Sequence, residues 1–495
     1  MLKRIVFTLI LCFVFPIPVY ANFVVNENCK QAFDFIISLR FAEGKKLLEK
    51  ERQINPTNQI PTLFDNYIDF LTVFISEKKQ AFEQFKIAKD RRLAILEKEN
   101  PNSPFFLYTQ AEVYMQCGFT RIKFKEYTTA IFEIRKAYKL LEENTKLFPN
   151  FKANYKELGV LHALIGTIPE NYKWIASAIG MKGTVQQGIN ELTFLNNNIK
   201  NTDYEYMSAE VCAMLAFINM YLEKNDLAAA KVMDKYEEQH KNYNPIACFI
   251  QSTILIHLGK NDEAIAILMN RKLSENYYPV PYLDYLTGMT KLYKLDNTAS
   301  NCFLKYINNF KGESFVKSAY QKLAWTYLIQ GNIDEYKKQM NNCKLIGNAT
   351  IDEDKSALSE AESNITPNIH LLKSRLKFDG GYYLEALSEL TGNTKDKFPT
   401  LKDKLELTYR LGRIYQKTNE TDKAITLYAE TLQNGAKLKY YFAASAALEL
   451  GFIYELKNDK YKAKTYFEKC LSLRNHEYQN GIDQKAKAGL NRLGF

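Results

Sequence analysis

Leu411-Gly412-Arg413-Ile414-Tyr415, followed by Ala424, Tyr428 and Thr431, is written again as Leu450-Gly451-Phe452-Ile453-Tyr454, followed by Ala463, Phe467 and Cys470. Counting from each glycine, an aromatic residue stands at three, a small residue at twelve, a second aromatic at sixteen and a small or thin residue at nineteen. These intervals put the glycine on one helix and the later residues on one face of a second. Glycine inside a helix costs roughly 1 kcal/mol against alanine, and close approach of the second helix offsets that cost. Ala424 and Ala463 let the helices come near, and Tyr428 and Phe467, one turn on, fill the space that remains. Each pair still carries an apolar face that only another pair covers, so the pattern predicts a stack. The glycines are 451 − 412 = 39 residues apart, against about 34 in the ideal repeat of this type. The excess predicts a longer turn around Asn434-Gly435.

This order of residues resembles the tetratricopeptide repeat, which implies an all-α fold, a right-handed α-solenoid of antiparallel helix pairs. Fainter copies run upstream: Cys117-Gly118 with Ala130, Ile134 and Ala137; Ala81, Phe85 and Ala88; Leu258-Gly259 leading to Ala264 and Leu268, with Ala230 lying 34 residues before Ala264. Leu323, Ala324, Tyr327, Tyr336, Met340 and Cys343 repeat the order around Gly331-Asn332, and Ala386 and Leu390 follow Gly380-Gly381. With 13 Pro and 21 Gly in 495 residues, turn residues are too sparse for a β-rich chain. A solenoid also escapes the size limit of a single globular core, because its core grows along one axis.

Residues 1–21 read as a signal peptide: Lys3 and Arg4, an apolar run from Ile5 to Phe15, then Val19-Tyr20-Ala21 before Asn22. The expected location is therefore outside the cytoplasm, in the periplasm or at the cell surface. The run is too short to span a bilayer, which takes about 20 residues, and no later segment is apolar enough, so no transmembrane segment is expected after cleavage. Removing Lys3 and Arg4 takes the net charge from +10 to 10 − 2 = +8, spread among alternating acids and bases, which does not point to nucleic acid.

Candidate chemistry is sparse. Cys29, Cys117, Cys212, Cys248, Cys302, Cys343 and Cys470 form no C-x-x-C pair, and most sit on apolar helical stripes, as small core residues do. His162, His240, His257, His370 and His476 lack metal-ligand spacing. Asp352, Asp354 and Ser356 begin like a calcium loop, but Ala357 and Ser363 occupy the positions that need glycine and glutamate. Ser314 with Lys317, and Ser374 with Lys377, have the spacing of a serine acyl-transfer motif without its companion motifs. No catalytic residue, metal site or cofactor is predicted.

One segment departs from the plain repeat. Glu157 to Pro169 and then Trp174, Ile175, Ile179-Gly180-Met181-Lys182-Gly183 and Gly188 form an apolar, glycine-rich helical hairpin broken at Pro169. With Pro281-Tyr282-Leu283, Lys317 to Trp325 and Arg375 to Tyr383, this segment resembles the tetratricopeptide repeat protein 39 family, which includes yeast inclusion-body-clearance proteins. The resemblance implies a helical-repeat protein and carries over no catalytic position; the signal peptide departs from it.

The chain thus divides into the signal peptide, N-terminal repeats 22–156, the hairpin segment 157–200, middle repeats 201–345 and C-terminal repeats 346–495 with a closing helix from Ile482 to Leu493. The expected function is that of an exported, non-catalytic scaffold holding a protein or peptide partner in a groove lined by first helices. In the clearest repeats that groove presents Glu406, Tyr409, Arg413 and Gln416, then Ser445, Leu448, Phe452 and Glu455, with Trp174 as an aromatic anchor on the hairpin. The alternative is a carrier of a lipid or small apolar ligand in a pocket near 157–200.

Overall fold

The structure, a computed structural model, describes residues 23–168, 177, 179–239, 244–271, 274–391 and 397–494. The signal-peptide reading and Pro169, Tyr172, Trp174 and Ile175 lie outside them. Among the described residues every regular element is helical and none is a β-strand. The described residues within Met1–Ile246 and Leu273–Tyr278 form one unit, and those within Ala247–Lys272 and Pro279–Phe495 form a second.

In the first unit the helices are α1 (Glu27–Ile37), α2 (Phe41–Ile54), α3 (Ile60–Ser76), α4 (Lys79–Leu96), α5 (Pro104–Lys123), α6 (Tyr127–Leu147), α7 (Asn154–Gly166), α8 (Val185–Asn198), α9 (Ser208–Phe217) and α10 (Asp226–Gln239). The second begins in α11 (Pro245–His257) and continues with α12 (Asn261–Met269), α13 (Tyr282–Tyr293), α14 (Ala299–Asn309), α15 (Val316–Ile329), α16 (Ile333–Leu345), α17 (Asp352–Ser363), α18 (Ile369–Asp379) and α19 (Tyr383–Thr391). It ends with α20 (Leu401–Lys417), α21 (Thr421–Gly435), α22 (Phe442–Leu456), α23 (Lys460–Ser472) and α24 (Gln479–Leu493). Neighbours in sequence pack as pairs, α5 on α6, α7 on α8, α15 on α16, α20 on α21 and α22 on α23 among them. The helix α17 is an extra element packed on α15 and α16, and α24 closes the last pair by packing on α22 and α23.

The glycine pattern is a contact between the two helices of a pair. A Cβ on Gly412 would lie 2.9 Å from Tyr428 Cδ1, on Gly451 2.4 Å from Phe467 Cε1, on Gly118 2.6 Å from Ile134 Cγ1, and on Gly288 2.8 Å from Phe303 Cε1. Phe467 is also pressed from the other side, where a Cβ on Gly489 of α24 would lie 2.5 Å from its Cζ. The hairpin glycines serve the same end: a Cβ on Gly188 would lie 2.2 Å from the Gly159 carbonyl oxygen, so α7 and α8 meet backbone to backbone.

Turns within the pairs share a second device, one residue in the left-handed region. Leu39, Glu77, Lys125, Lys224, Leu295, Asn419 and Asn458 hold φ between +53° and +66°, and Gly259, Gly331 and Gly381 between +72° and +85°. Where the residue is neither Gly nor Asn this conformation costs about 1–2 kcal/mol, so the packing of the two helices imposes it. Two expectations shift by small amounts. The helix α21 runs through Asn434 and Gly435, and the long connection is 436–441. Ala229, rather than Ala230, is the fully buried small residue of α10, because a π-helical turn over Ile218–Glu223 inserts a residue ahead of it.

The first unit buries a charged cluster between first helices. Lys156 Nζ of α7 lies 2.7 Å from Glu112 Oε1, 2.8 Å from Glu157 Oε1 and 2.6 Å from Glu210 Oε2, and it donates to Tyr67 Oη at 2.7 Å. Glu112 also accepts from Tyr67 Oη at 2.9 Å and from Tyr108 Oη at 2.5 Å. Three carboxylates around one ammonium leave surplus negative charge in an apolar surround. Burial, and then the Glu112 charge, push the Glu157 carboxyl well above its ordinary range. The burial of Glu112 is outweighed by Lys156 and the hydrogen bonds it accepts, which hold its carboxyl below that range.

Two outcomes follow from these contacts. Gly451→Ala should destabilise the protein by about 1–3 kcal/mol, the usual range for overpacking, and Phe467→Leu in the same chain should recover part of it, read as midpoints of urea unfolding. The raised carboxyl of Glu157 stabilises the folded state fully below the unfolded value near 4.5, and this contribution is lost as pH rises through the folded value. Glu157→Gln should therefore show a shallower loss of unfolding free energy between mildly acid and alkaline pH than the parent.

Candidate functional site

First helices of the second unit share a register that defines one face. Gly288, Ala324, Ser374, Gly412 and Gly451 occupy the small position against the second helix; Ser374 Oγ donates to the Ala386 carbonyl at 2.9 Å, and Ala324 is fully buried. The residue after each is Met289, Trp325, Arg375, Arg413 and Phe452; of these Phe452 still packs on Phe467 of its second helix. Three positions before each stand Tyr285, Gln321, Leu371, Tyr409 and Leu448.

Between α13, α15 and α18 this face opens into a cavity of about 350 Å³. From α13 it is lined by Tyr285, Met289 and Tyr293, from α15 by Ser318, Gln321, Lys322 and Trp325, and from α18 by Arg375, Leu376 and Asp379. Asp352, Glu353 and Ser356 of α17 and Tyr478 complete it. The cavity exists because α13 touches α18 as well as α15, skipping a pair. Glycines permit that closure: a Cβ on Gly380 would lie 2.8 Å from Tyr293 Cβ, and one on Gly381 1.9 Å from the Gly259 carbonyl oxygen. Tyr382 Oη then donates to Asp262 Oδ1 at 2.9 Å and accepts from Asn261 Nδ2 at 3.0 Å.

The wall formed by α17 is fixed near its N-terminal end. Buried Asp354 accepts the backbone N–H of Phe315 at 2.7 Å and of Ser318 at 2.9 Å, capping α15 from a neighbouring helix. Burial raises its carboxyl to about 6 against those hydrogen bonds. Ser356 Oγ and Tyr478 Oη are 2.8 Å apart, which joins α17 to the segment entering α24.

Trp325 is the centre of the lining. Its Nε1 donates to Glu360 Oε1 at 2.7 Å, and Glu360 Oε2 accepts from Gln321 Nε2 at 2.7 Å. Lys322 Nζ lies 3.7 Å from the ring centroid, and the Arg375 guanidinium carbon 5.1 Å from it. Burial, and then the charge of Arg375, lower the Lys322 ammonium to about 7 despite Glu360. Burial likewise raises the phenols of Tyr285 and Tyr293.

The residues anticipated as groove-lining take varied places. Tyr409 is buried among the rings of Tyr428, Tyr441 and Phe442, and Ser445 and Leu448 are buried between pairs. Glu406 pairs with Arg410. Arg413 stacks 4.1 Å from the Phe378 ring centroid. Gln416 donates to Glu449 at 3.1 Å and accepts from Tyr428 Oη at 2.6 Å. Phe452 packs 5.4 Å from Phe467, and Glu455 pairs with Arg492 of α24 at 2.8 Å. Lys322, Trp325 and Arg375 were missed as lining residues. The signal was present, since Trp325 and Arg375 hold the repeat position of Arg413, but the fainter repeats hid it.

Residues 444–477 match the tetratricopeptide repeat family. No curated protein matches the chain. Among solved structures the chain is similar to the tetratricopeptide repeat domain of P58(IPK), at 12% identity over 87% of this chain and 98% of that one, with a TM-score of 0.21. It is also similar to the Cut9–Hcn1 heterotetramer of APC/C, at 11% identity over 94% and 95% with a TM-score of 0.25. A third similarity is to Naa15/Naa10 bound to HypK-THB, at 15% identity over 93% of this chain and 66% of that one, with a TM-score of 0.26. The pair α22–α23 is thus a tetratricopeptide repeat, and the glycine-to-large-residue contact it shares with α5–α6, α13–α14 and α20–α21 makes the fold a helical repeat of that type.

Proposed function

We propose that this protein is an exported, non-catalytic scaffold that holds a protein or peptide partner on the first-helix face of its second unit. The observation that carries this reading is the cavity between α13, α15 and α18: it presents Met289, Trp325 and Arg375 from one repeat register, and its walls are braced by α17 and Tyr478. These three side chains line the cavity, where a ligand that enters it meets them. An aromatic, methionine and arginine mixture is the composition enriched where proteins recognise proteins. Helical repeats of this type serve that purpose through the face opposite the second helices. The likeness to the tetratricopeptide repeat protein 39 family rests on the sequence stretches alone and agrees with a scaffold role. Export rests on residues 1–21.

A photo-crosslinking residue at Met289 is expected to capture one partner stoichiometrically in cells, whereas the same residue at Tyr461, 82% exposed on α23, captures none. Equal labelling from both positions would sink the scaffold reading. Export is checked by fusing residues 1–30 to a reporter active only outside the cytoplasm; activity is expected, with a mature chain starting at Asn22, and a silent fusion removes the export proposal.

A further inference from the structure

The cavity of the second unit is lined by two cations, Lys322 and Arg375, and by the acids Asp352, Glu353 and Asp379, none of which pairs closely with Lys322. Lys322 makes no ion pair among the described residues; its Nζ donates to Gln321 Oε1 at 2.7 Å and sits on the Trp325 ring. Arg375, on the same ring, has Asp379 as its ion-pair partner at 3.8 Å, a loose contact. Glu360 contributes negative charge to both, but its oxygens accept from Trp325 and Gln321 and it forms no ion pair with either cation among the described residues. Two like charges therefore share one aromatic platform at the edge of an open space, an arrangement that a bound anion relieves.

The form of that anion is restricted by the rest of the lining. Asp352 and Glu353 also line the cavity, both exposed, and Asp352 pairs with Lys355 of its own helix at 2.9 Å. Exposed acids beside the two cations disfavour a polyanion and suit a single negative charge. Gln321 is the one carboxamide in the lining, and both its ends are occupied. No free amide remains to read a peptide backbone or the N–H beside a chain terminus, so recognition falls to an inserted side chain.

We propose that this cavity takes one aspartate or glutamate side chain of the bound protein, its carboxylate placed between Lys322 and Arg375 over Trp325 and its methylenes against Tyr285 and Met289. This rests on the reading of the second unit as a protein-binding face. The depressed Lys322 ammonium agrees with it, because burial and Arg375 hold it down where a carboxylate would raise it.

The test uses the full chain labelled with 5-fluorotryptophan, which gives two fluorine signals, from Trp174 and Trp325, assigned with Trp174→Phe. Titration with N-acetylglutamate N-methylamide should shift the Trp325 signal saturably, and the glutamine analogue should not. Lys322→Gln and Arg375→Gln should each weaken the response about tenfold or more, the usual effect of losing a charge-assisted hydrogen bond, while Lys322→Arg, with an unchanged melting temperature, retains it. An equal response to the glutamine analogue overturns the proposal. So does a response only to N-acetylalanine, whose carboxylate is terminal. If crosslinking from Met289 captures a partner while the glutamate probe is silent, the acidic anchor falls and the scaffold stands. If the probe binds while no partner is captured, the carboxylate site stands and the scaffold falls.

Discussion

The contact between a small residue on one helix and a large one on its partner is the constraint from which the rest follows. At Gly451 the aromatic ring of Phe467 occupies the volume a side chain would need, and Gly489 of the closing helix clears the other side of the same ring. The fit brings the two helices of a pair together and leaves the opposite face of the first helix without a role inside the pair. That face then packs on other first helices, fills with polar groups, or stays open.

The two units use it differently. In the first, Glu112 stands six residues before Gly118 and Lys156 three before Gly159, at register positions matching Glu406 and Tyr409 in the second unit. There the space is taken by one ammonium, three carboxylates and the hydroxyls of Tyr67 and Tyr108. Breaking such a buried arrangement is costly, because any member left alone keeps an uncompensated charge away from water. In the second unit the matching positions beside Ala324 contribute Ser318 and Gln321, and a cavity remains. Closure of α13 onto α18 gives it a floor and α17 gives it a wall. A ligand-sized space in a repeat protein here arises from an inserted helix and a skipped neighbour, not from regular stacking alone.

Most of the helical pairing was legible from residues 411–470, because the glycine-to-aromatic interval reports a local contact within one pair. The turns were partly legible. Gly259, Gly331 and Gly381 mark them openly, whereas Leu39, Glu77, Lys125, Lys224 and Leu295 hold the same left-handed conformation without the residue type that announces it. The displacement from Ala230 to Ala229 has a similar origin, since one π-helical turn shifts the count without changing composition. The residues read as groove-lining come from repeats where neighbouring pairs cover several of them. Tyr409 and Leu448 meet side chains of adjacent helices, while Trp325, itself buried, lines a cavity.

The sequence by itself determined the helix pairs and, in the clearest repeats, the small-to-large register between their two helices, because that is set by spacing over a few turns of a helix. Only the tertiary structure decided which first-helix residues are covered. That depends on α13 reaching α18 across an intervening pair and on Asp354 of α17 capping α15. Such contacts join helices of different pairs, and the glycine-to-aromatic interval reports only the contact within one pair.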